Sequence, residues 1–355
     1  QHHTHLTDPP TPVVLDGRMG EGGGQVLRTA LALSVVTGRP LHLENVRGGR
    51  RKPGLRRQHV ACVRAATAVS GATVVGAELG ASSLRFHPAH LRPGTFELSV
   101  GSAGSTALVL QTVLTPLLFA DGPSEVVVRG GTHNAWAPPA DFLELTFLPA
   151  LRAMGLEVEL DCEAVGFFPA GGGVLRARIT PVGDRELRPL ELLERGAEGK
   201  HYALIRRAHL AADIADREWS ALQRVLYWRS NQRRDLDHPE SRGPGNCVHA
   251  VLRFEDVTEV VTSFGAKGRG ARHVAEDAAK AARRYLASDA PVGRHLCDQL
   301  MLPMALLAGG RFRTLTPTLH ATTNAEVLAA FLGDVVTVEQ TGDDEALVTV
   351  ADPRV

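Results

Sequence analysis

The sequence predicts a mixed α/β (α+β) fold of three βαβαββ repeats, with the helices on one face of four-stranded sheets. Two equal spacings predict the repeat. Gly38 and Gly122 each follow an apolar segment, and the interval between them equals the interval between Gly71 and Gly155, which follow amphipathic segments. Agreement between the two intervals makes internal duplication the favoured interpretation. Each sheet must bury one face, so we expect the helices to pack there.

Each repeat contains a unit of an apolar helix, a glycine turn and a strand. The copies start at Gly24, Ser105 and Leu296, and the first reads GQVLRTALALSVVTGRPLHLENV. Because these helices are apolar nearly all round, they are predicted to be buried. An amphipathic helix, a glycine and paired strands follow each copy, the last around Gly333.

The third copy breaks the period, which predicts an insertion. The interval from Gly122 to Gly310 is more than twice the interval from Gly38 to Gly122. We therefore predict a tail or tag remnant at 1–12, a large three-repeat domain at 13–186 and 289–355, and a small inserted α/β domain at 187–288. Within the insert, helical spacing and two strand-like runs are evident, and the turn-rich stretch from Ser230 to Cys247 is predicted to be an exposed loop.

Composition excludes several classes of protein. The chain has 355 residues, 44% of them hydrophobic, and its 39 Lys plus Arg balance 39 Asp plus Glu. These values argue against a disordered chain and against a generally basic nucleic-acid binder. Four widely spaced cysteines predict neither a zinc site nor a disulfide scaffold, so we expect a reducing, cytoplasmic location. No apolar run is long enough to cross a bilayer, so no membrane span is predicted.

A glycine-rich turn is the first candidate site. The stretch DGRMGEGGGQVLRTALALS carries a strand into a turn that opens a helix, with Glu21 in the turn and Arg28 one helical turn inside. Backbone N–H groups at a helix N-terminus bind anions. The stretch is neither a Walker A motif nor a Rossmann fingerprint, and glycine-rich loops without ligands are common.

A basic segment is the second candidate. Between Asn45 and Arg64 there are seven cationic side chains and no acidic one. They are Arg47, Arg50, Arg51, Lys52, Arg56, Arg57 and Arg64. Such a segment is either a solvated loop or a grip for a polyanion, since guanidinium groups bind phosphate through two hydrogen bonds.

Weaker candidates lie further along the chain. Small-residue turns at 99–106, 129–142 and 169–173 serve either as ordinary turns or as places where backbone approaches a ligand. Gln111 is a polar residue on an apolar helix and needs a partner. His320 precedes a predicted helix whose N-cap is expected at Thr322 or Thr323, and its spacing alone does not distinguish it among 15 histidines.

The ordered motifs resemble those of the RNA 3′-terminal phosphate cyclase family. The matching stretches include DGRMGEGGGQVLRTALALS, VRGGRRKPGLRRQH, GSAGSTALVLQTVLTPLLFADGPS, GGTHNAWAPPADF, FFPAGGGV, RGPGN, HLCDQLMLPMAL and HATTNAEV. The resemblance extends along essentially the whole chain and implies three βαβαββ repeats with one inserted domain.

The resemblance implies that ATP and an RNA with a 3′-terminal phosphate are the substrates. A histidine attacks the α-phosphate of ATP, AMP then passes to the RNA phosphate, and the 2′-hydroxyl expels AMP to form a 2′,3′-cyclic phosphate. By resemblance the nucleophile is His320 and the metal ligand, for Mg or Mn, is Glu21. The implied ATP-binding residues are Arg28, Arg47, Arg50, Gln58, Gln111, Pro138, His295, Leu296, Cys297, Asp298 and Gln299.

Two alternatives remain beside an active cyclase. One is a non-catalytic cyclase-like protein that binds RNA in ribosome assembly, although such relatives lack the nucleophilic histidine that this chain retains. The other is an enolpyruvyl transferase, which is also built from βαβαββ repeats but has a different anion site. One departure is that His295 occupies a position where the family often has tyrosine against adenine. The sequence leaves the oligomeric state open.

Overall fold

A computed structural model of the chain describes residues 10–101 and 103–355. Residues 1–9 of the predicted tail, and Ser102 in the small-residue turn at 99–106, lie outside the described residues. The described chain forms four four-stranded sheets. Three of them have the same strand order and belong to the three repeats, which confirms the predicted fold class.

The first repeat has the order β-α-β-α-β-β. Its elements are β1 (Val13–Asp16), α1 (Gly24–Thr37), β2 (Leu41–Glu44), α2 (Arg57–Ser70), β3 (Thr73–Val75) and β4 (Leu84–His87). The strands lie in the order β1-β2-β4-β3, with β1 parallel to β2 and the other pairs antiparallel. Gly38 and Gly71 end the two helices with φ of 73° and 64°, a left-handed conformation that glycine adopts without steric cost.

The second repeat follows the same pattern. Its elements are β5 (Gly94–Ser99), α3 (Thr106–Leu117), β6 (Ser124–Gly130), α4 (Ala140–Phe142), a π-helical turn (Leu143–Phe147), α5 (Leu148–Ala153), β7 (Glu157–Ala164) and β8 (Gly173–Thr180). The strand order is β5-β6-β8-β7. Here the second helix of the repeat is divided into three short segments.

The third repeat is split by the insert. Its first strand, β9 (Leu190–Leu192), is followed by the insert. The insert contains β10 (Tyr202–Ala208), α6 (Ala212–Leu226), a 3₁₀ turn (Ser230–Gln232), β11 (Arg233–Asp237), β12 (Gly245–Arg253), β13 (Thr258–Phe264) and α7 (Ala271–Leu286). The repeat then resumes with α8 (Arg294–Leu307), β14 (Gly310–Thr314), α9 (Leu319–Leu332), β15 (Val336–Gly342) and β16 (Glu345–Val350).

Two features of the insert differ from the sequence prediction. The predicted range 187–288 includes β9, but β9 pairs in parallel with β14 in the third sheet, while the insert forms its own sheet in the order β11-β10-β12-β13. The stretch from Ser230 to Cys247 is not only loop, because β11 pairs in parallel with β10 at the sheet edge. The residues of β11 are mostly charged and exposed, so the sequence does not show the apolar pattern of a strand. Charged residues are common in edge strands.

The helices of the repeats form one continuous core, as the apolar segments predict. Buried residues of α1, α3 and α8 belong to a single hydrophobic cluster that also includes residues of α2, α5 and α9. The insert has a separate cluster between α6, α7 and its sheet. No helix in the described ranges is long and apolar enough to cross a lipid bilayer. The four cysteines, all within the described ranges, are free thiols.

Candidate active site

A cavity of about 470 Å³ opens where the three repeats meet the insert. Eight of the residues expected from the resemblance line it. They are Arg28, Arg50, Gln111, Pro138, His295, Asp298, Gln299 and His320. The fold therefore gathers side chains from four helices and two loops, although these segments are spread over nearly the whole length of the chain.

The glycine-rich turn is held against α9 by a hydrogen bond and a close packing contact. The backbone N–H of Glu21 donates to Thr323 Oγ1 at 2.9 Å, and Gly20, at φ 59°, packs so closely on Thr323 that a side chain there would overlap it. Glycine is required at this position because of both the conformation and the contact. Glu21 has a carboxylate that is only 5% exposed, and it accepts a hydrogen bond from the Gln25 N–H at 3.2 Å.

We use the term arginine cluster for Glu21, Arg28, Arg47 and Arg50. In this cluster the positive charges outnumber the negative charge. Arg50 is paired with Glu21. Arg28 is partly buried and has no carboxylate within ion-pair distance among the described residues, and desolvation lowers its pKa. The nearby His59 ends the matching stretch VRGGRRKPGLRRQH but has no predicted role, and its pKa is lowered to about 3 by desolvation and by the surrounding arginines.

Arg47 and Gln58, two of the predicted ATP-binding residues, do not line the cavity. The Arg47 guanidinium donates to the carbonyl oxygens of Lys52 at 2.8 Å and Gly54 at 3.0 Å, so it holds the basic loop together. Gln58 accepts a hydrogen bond from the Ser105 N–H at 3.3 Å and faces a neighbouring groove. The ATP-binding role of both residues stays a prediction.

Helix α8 presents one face to the cavity. His295, Asp298 and Gln299 lie on that face at helical spacing. Leu296 and Cys297 were expected to bind ATP as well, but they are 1% and 0% exposed and belong to the hydrophobic core. The helical period therefore removes their side chains from the cavity.

Polar groups on this face are incompletely satisfied. Gln299 Oε1 accepts from Gln111 Nε2 at 2.8 Å, which supplies the partner that Gln111 needed. The Oδ1 atom of Asp298 is buried and has no hydrogen-bond partner among the described residues, and desolvation raises the pKa of this carboxyl to about 7. Desolvation, followed by the charge of Arg294, lowers the pKa of His295. A buried unsatisfied carboxyl oxygen is rare in proteins, and a ligand in the cavity would supply the partner that this one lacks.

His320 is exposed at the cavity in the first turn of α9. The helix begins one residue before it and its N-cap is Thr318, so the predicted caps at Thr322 and Thr323 are wrong. Instead Thr323 holds the glycine-rich turn, and Asn324 Oδ1 accepts from Thr29 at 2.6 Å. Nothing local in the sequence marks these long-range contacts.

The insert supplies part of the cavity wall. Val260, Thr262 and Phe264 of β13 line it. No motif in the sequence predicts this role for the insert. The signal available was the strand-like run TEVVTSF, which indicates a strand but not what it faces.

A second group of charged side chains, here termed the interdomain network (His133, Asp141, Arg206 and His249), joins the insert to the second repeat. Asp141 accepts from Arg206 at 2.6 and 3.2 Å, from His133 Nε2 at 2.6 Å, and lies 2.9 Å from His249 Nε2. His133, Asp141 and His249 are close enough to reach a common metal ion. However, Arg206 already presents a positive charge to that carboxylate, which disfavours a cation there.

Burial opposes ionisation of Asp141, but the charges and hydrogen bonds of His249 and His133 outweigh it and hold the pKa of this carboxylate well below the usual value. The adjacent Cys247 and the same carboxylate raise the pKa of His249 to about 10. Burial lowers the pKa of His133 to about 4. The network thus consists of a buried anion matched by neighbouring cations.

The fold and the site define a three-repeat α/β protein with an inserted domain and an exposed histidine at an arginine-lined cavity. The family profile described as RNA 3′-terminal phosphate cyclase matches residues 19–338. The chain belongs to this family.

Curated relatives agree with the profile. The chain is 48% identical to the RNA 3′-terminal phosphate cyclase of Koribacter versatilis over 320 residues, which cover 90% of each chain. It is 47% identical to the RNA 3′-terminal phosphate cyclase of Ralstonia nicotianae over 337 residues, covering 94% of this chain and 96% of the relative.

Among solved structures, the enolpyruvyl transferase NikO from Streptomyces tendae matches with a TM-score of 0.38 and 10% identity. The match covers 94% of this chain but about half (47%) of that chain. At this level the similarity supports no argument about fold or function.

Proposed function

We propose that this protein converts an RNA 3′-terminal phosphate to a 2′,3′-cyclic phosphate at the expense of ATP. The relatives that carry the cyclase name support the overall activity. The observation that carries the mechanism is the position of His320, which is exposed in the first turn of α9 on the same cavity as Arg28 and Arg50.

The cavity offers one end for a polyphosphate and one for a base. Excess positive charge in the arginine cluster, together with the N-terminus of α1, favours a triphosphate. Pro138 and His295 lie on the cavity wall and supply flat faces for an adenine ring, and Asp298, Gln299 and Gln111 supply polar atoms. Histidine stacks with less area than tyrosine, so we expect the adenine contact to be weaker than in relatives with tyrosine.

The proposed reaction has three balanced steps. A nitrogen of His320 forms a bond to the α-phosphorus of ATP as the bond to the bridging oxygen breaks, releasing pyrophosphate. An oxygen of the RNA 3′-phosphate then displaces the histidine and takes AMP. Finally the 2′-hydroxyl loses its proton and attacks the 3′-phosphorus, and AMP leaves. The last step is favoured because the 2′-oxygen is already held beside the phosphorus.

Glu21 is the residue that would hold a divalent cation such as Mg or Mn. Its carboxylate lies beside the arginine cluster, and a single carboxylate oxygen with phosphate oxygens and water suits Mg. Arg50 pairs with the same carboxylate in this structure, so a metal ion would have to share or replace that contact. When bound, the ion would offset triphosphate charge and orient the leaving pyrophosphate.

The decisive experiment is labelling with ATP radioactive at the α-phosphate. Wild-type protein should become covalently labelled, and His320→Ala should lose essentially all of the label because the nucleophile is absent. His273→Ala, which changes an exposed histidine on α7, is the matched control and should label normally. Full labelling of His320→Ala would contradict the nucleophile assignment.

The same experiment separates the alternative function. A protein that binds RNA but neither labels with ATP nor makes a phosphatase-resistant RNA end would be a non-catalytic relative. We further propose a cytoplasmic location, which the four free thiols support.

A further inference from the structure

A second groove, of about 670 Å³, adjoins the cavity. Trp136 lines both of them, so it stands at their junction. The groove runs between the start of α2, where Arg56 and Arg57 lie, and the turn that contains Phe168. A ligand lying in this groove would therefore reach the cavity that contains His320.

The groove exposes aromatic surface. Trp136 is 52% exposed and Phe168 is 59% exposed, and their rings contact each other edge to face with centroids 4.9 Å apart. Leu79, 63% exposed, lies in the same groove. A cluster of exposed apolar side chains beside a polar site marks an interaction surface.

The groove also carries positive charge. Arg56 and Arg57 are exposed, and within the described part of the chain neither has a carboxylate in ion-pair distance. The exposed Arg242 side chain lies against Gly172, in the turn that follows Phe168. These cations stand out because the chain as a whole has no net charge.

We propose that this groove binds the last nucleotides of a single-stranded RNA, with bases stacked on Trp136 and Phe168 and phosphates on Arg56 and Arg57. Proteins bind single-stranded nucleic acid without sequence preference by stacking bases on exposed aromatic rings and pairing phosphates with arginines that have no carboxylate partner. The terminal phosphate then lies at the Trp136 end, toward His320. This inference rests on the proposed cyclase function and adds the location of its RNA substrate.

The first test measures the RNA dependence of cyclisation with Phe168→Ala. Phe168 lines the groove and not the cavity, so ATP labelling of the protein in the absence of RNA should be unchanged. The KM for a short RNA with a 3′-phosphate should rise about 10-fold, the loss expected for one stacked base. Phe168→Tyr, which keeps an aromatic ring, should restore it.

The matched control is Tyr227→Ala, which removes an 86% exposed ring at the end of α6. It should leave the KM for RNA unchanged. A wild-type KM in Phe168→Ala would overturn the groove while leaving the cyclase function intact, whereas a wild-type protein that neither labels nor cyclises would overturn the cyclase function itself. Equal losses of ATP labelling and RNA use in Phe168→Ala would also overturn the groove assignment.

A second test uses fluorescence and does not depend on turnover. Trp136 is exposed, while the other two tryptophans, Trp219 and Trp228, are 7% and 8% exposed in the insert. Adding the same RNA without ATP should quench the emission of Trp136, and Trp136→Phe should abolish that quenching. Quenching that survives in Trp136→Phe, or no quenching at RNA concentrations above KM, would contradict the proposal.

Discussion

The arginine cluster and the interdomain network are both charged groups near the same cavity, but their charges are arranged in opposite ways. In the interdomain network, one buried carboxylate, Asp141, is surrounded by Arg206, His133 and His249. In the arginine cluster, Arg28 is partly buried with no carboxylate within ion-pair distance among the described residues. The carboxylate of Glu21 is paired with Arg50 instead.

The difference distinguishes charged groups that stabilise the structure from charged groups that we propose bind a ligand. A buried ion with its partners in place stabilises an interface only as long as every partner remains. A desolvated cation without an anion is costly in the free protein, and a bound phosphate would relieve that cost. We therefore expect substitutions in the first group to affect folding and those in the second to affect ATP use.

The largest expected effect is on stability, in Asp141→Ala. Removing the carboxylate leaves Arg206, whose side chain is 14% exposed, without its anion. The free energy of unfolding should then fall by about 3 to 5 kcal/mol, measured by urea unfolding followed by circular dichroism. The double variant Asp141→Ala/Arg206→Met should recover part of this loss, because neither charge is then buried alone. A loss below about 1 kcal/mol would show that the network is not structural.

The next effect is on activity, in Arg28→Ala. Labelling by ATP should fall about 100-fold, equivalent to about 2.7 kcal/mol, because the contact that we propose between this guanidinium and a phosphate is lost. The melting temperature should stay the same or rise, since the substitution removes a desolvated cation that has no carboxylate within ion-pair distance in the described ranges. A variant that unfolds readily but labels normally would reverse the distinction between the two groups.

The smallest effect concerns pH and Asp298, which lies near the arginine cluster. Desolvation raises its pKa to about 7 from 3.8, so the folded protein binds more protons than the unfolded chain between these values. The stability that this carboxyl contributes is therefore lost as pH rises through the window. The amide of Asp298→Asn does not titrate. As the pH rises from 5 to 8, the free energy of unfolding of this variant should therefore increase by about 2 kcal/mol relative to that of the wild-type protein. Parallel stability curves for the two proteins would contradict the raised pKa.

Local patterns predicted most of the helices and their ends. The apolar segments after Gly24, Ser105 and Leu296 form the central helices, and a glycine such as Gly38 ends the first of them. Helical spacing alone would have separated His295, Asp298 and Gln299 from Leu296 and Cys297. A periodic pattern reports which residues share a face.

What the sequence did not reveal is non-local. The contact of Glu21 with Thr323 spans 302 residues, and no pattern near either residue predicts it. The insert's β13 was identified as a strand, but its place on the cavity depends on how the insert docks through Asp141 and Arg206. Likewise β9 is only three residues long, and it is recognised as a strand of the third repeat only because it pairs with β14.

The division of the third repeat has a consequence for synthesis of the chain. Glu191 of β9 meets Arg311 of β14 across 120 residues, so β9 leaves the ribosome long before its partner exists. By the time β14 is made, the first two repeats and the insert are complete and can form their own sheets, since domains fold as units during translation. His320 and the threonine that fastens the glycine-rich turn emerge later still. A nascent chain therefore acquires its arginines first and the proposed nucleophile last, so under the proposed mechanism it would not react with ATP until nearly the whole protein has been made.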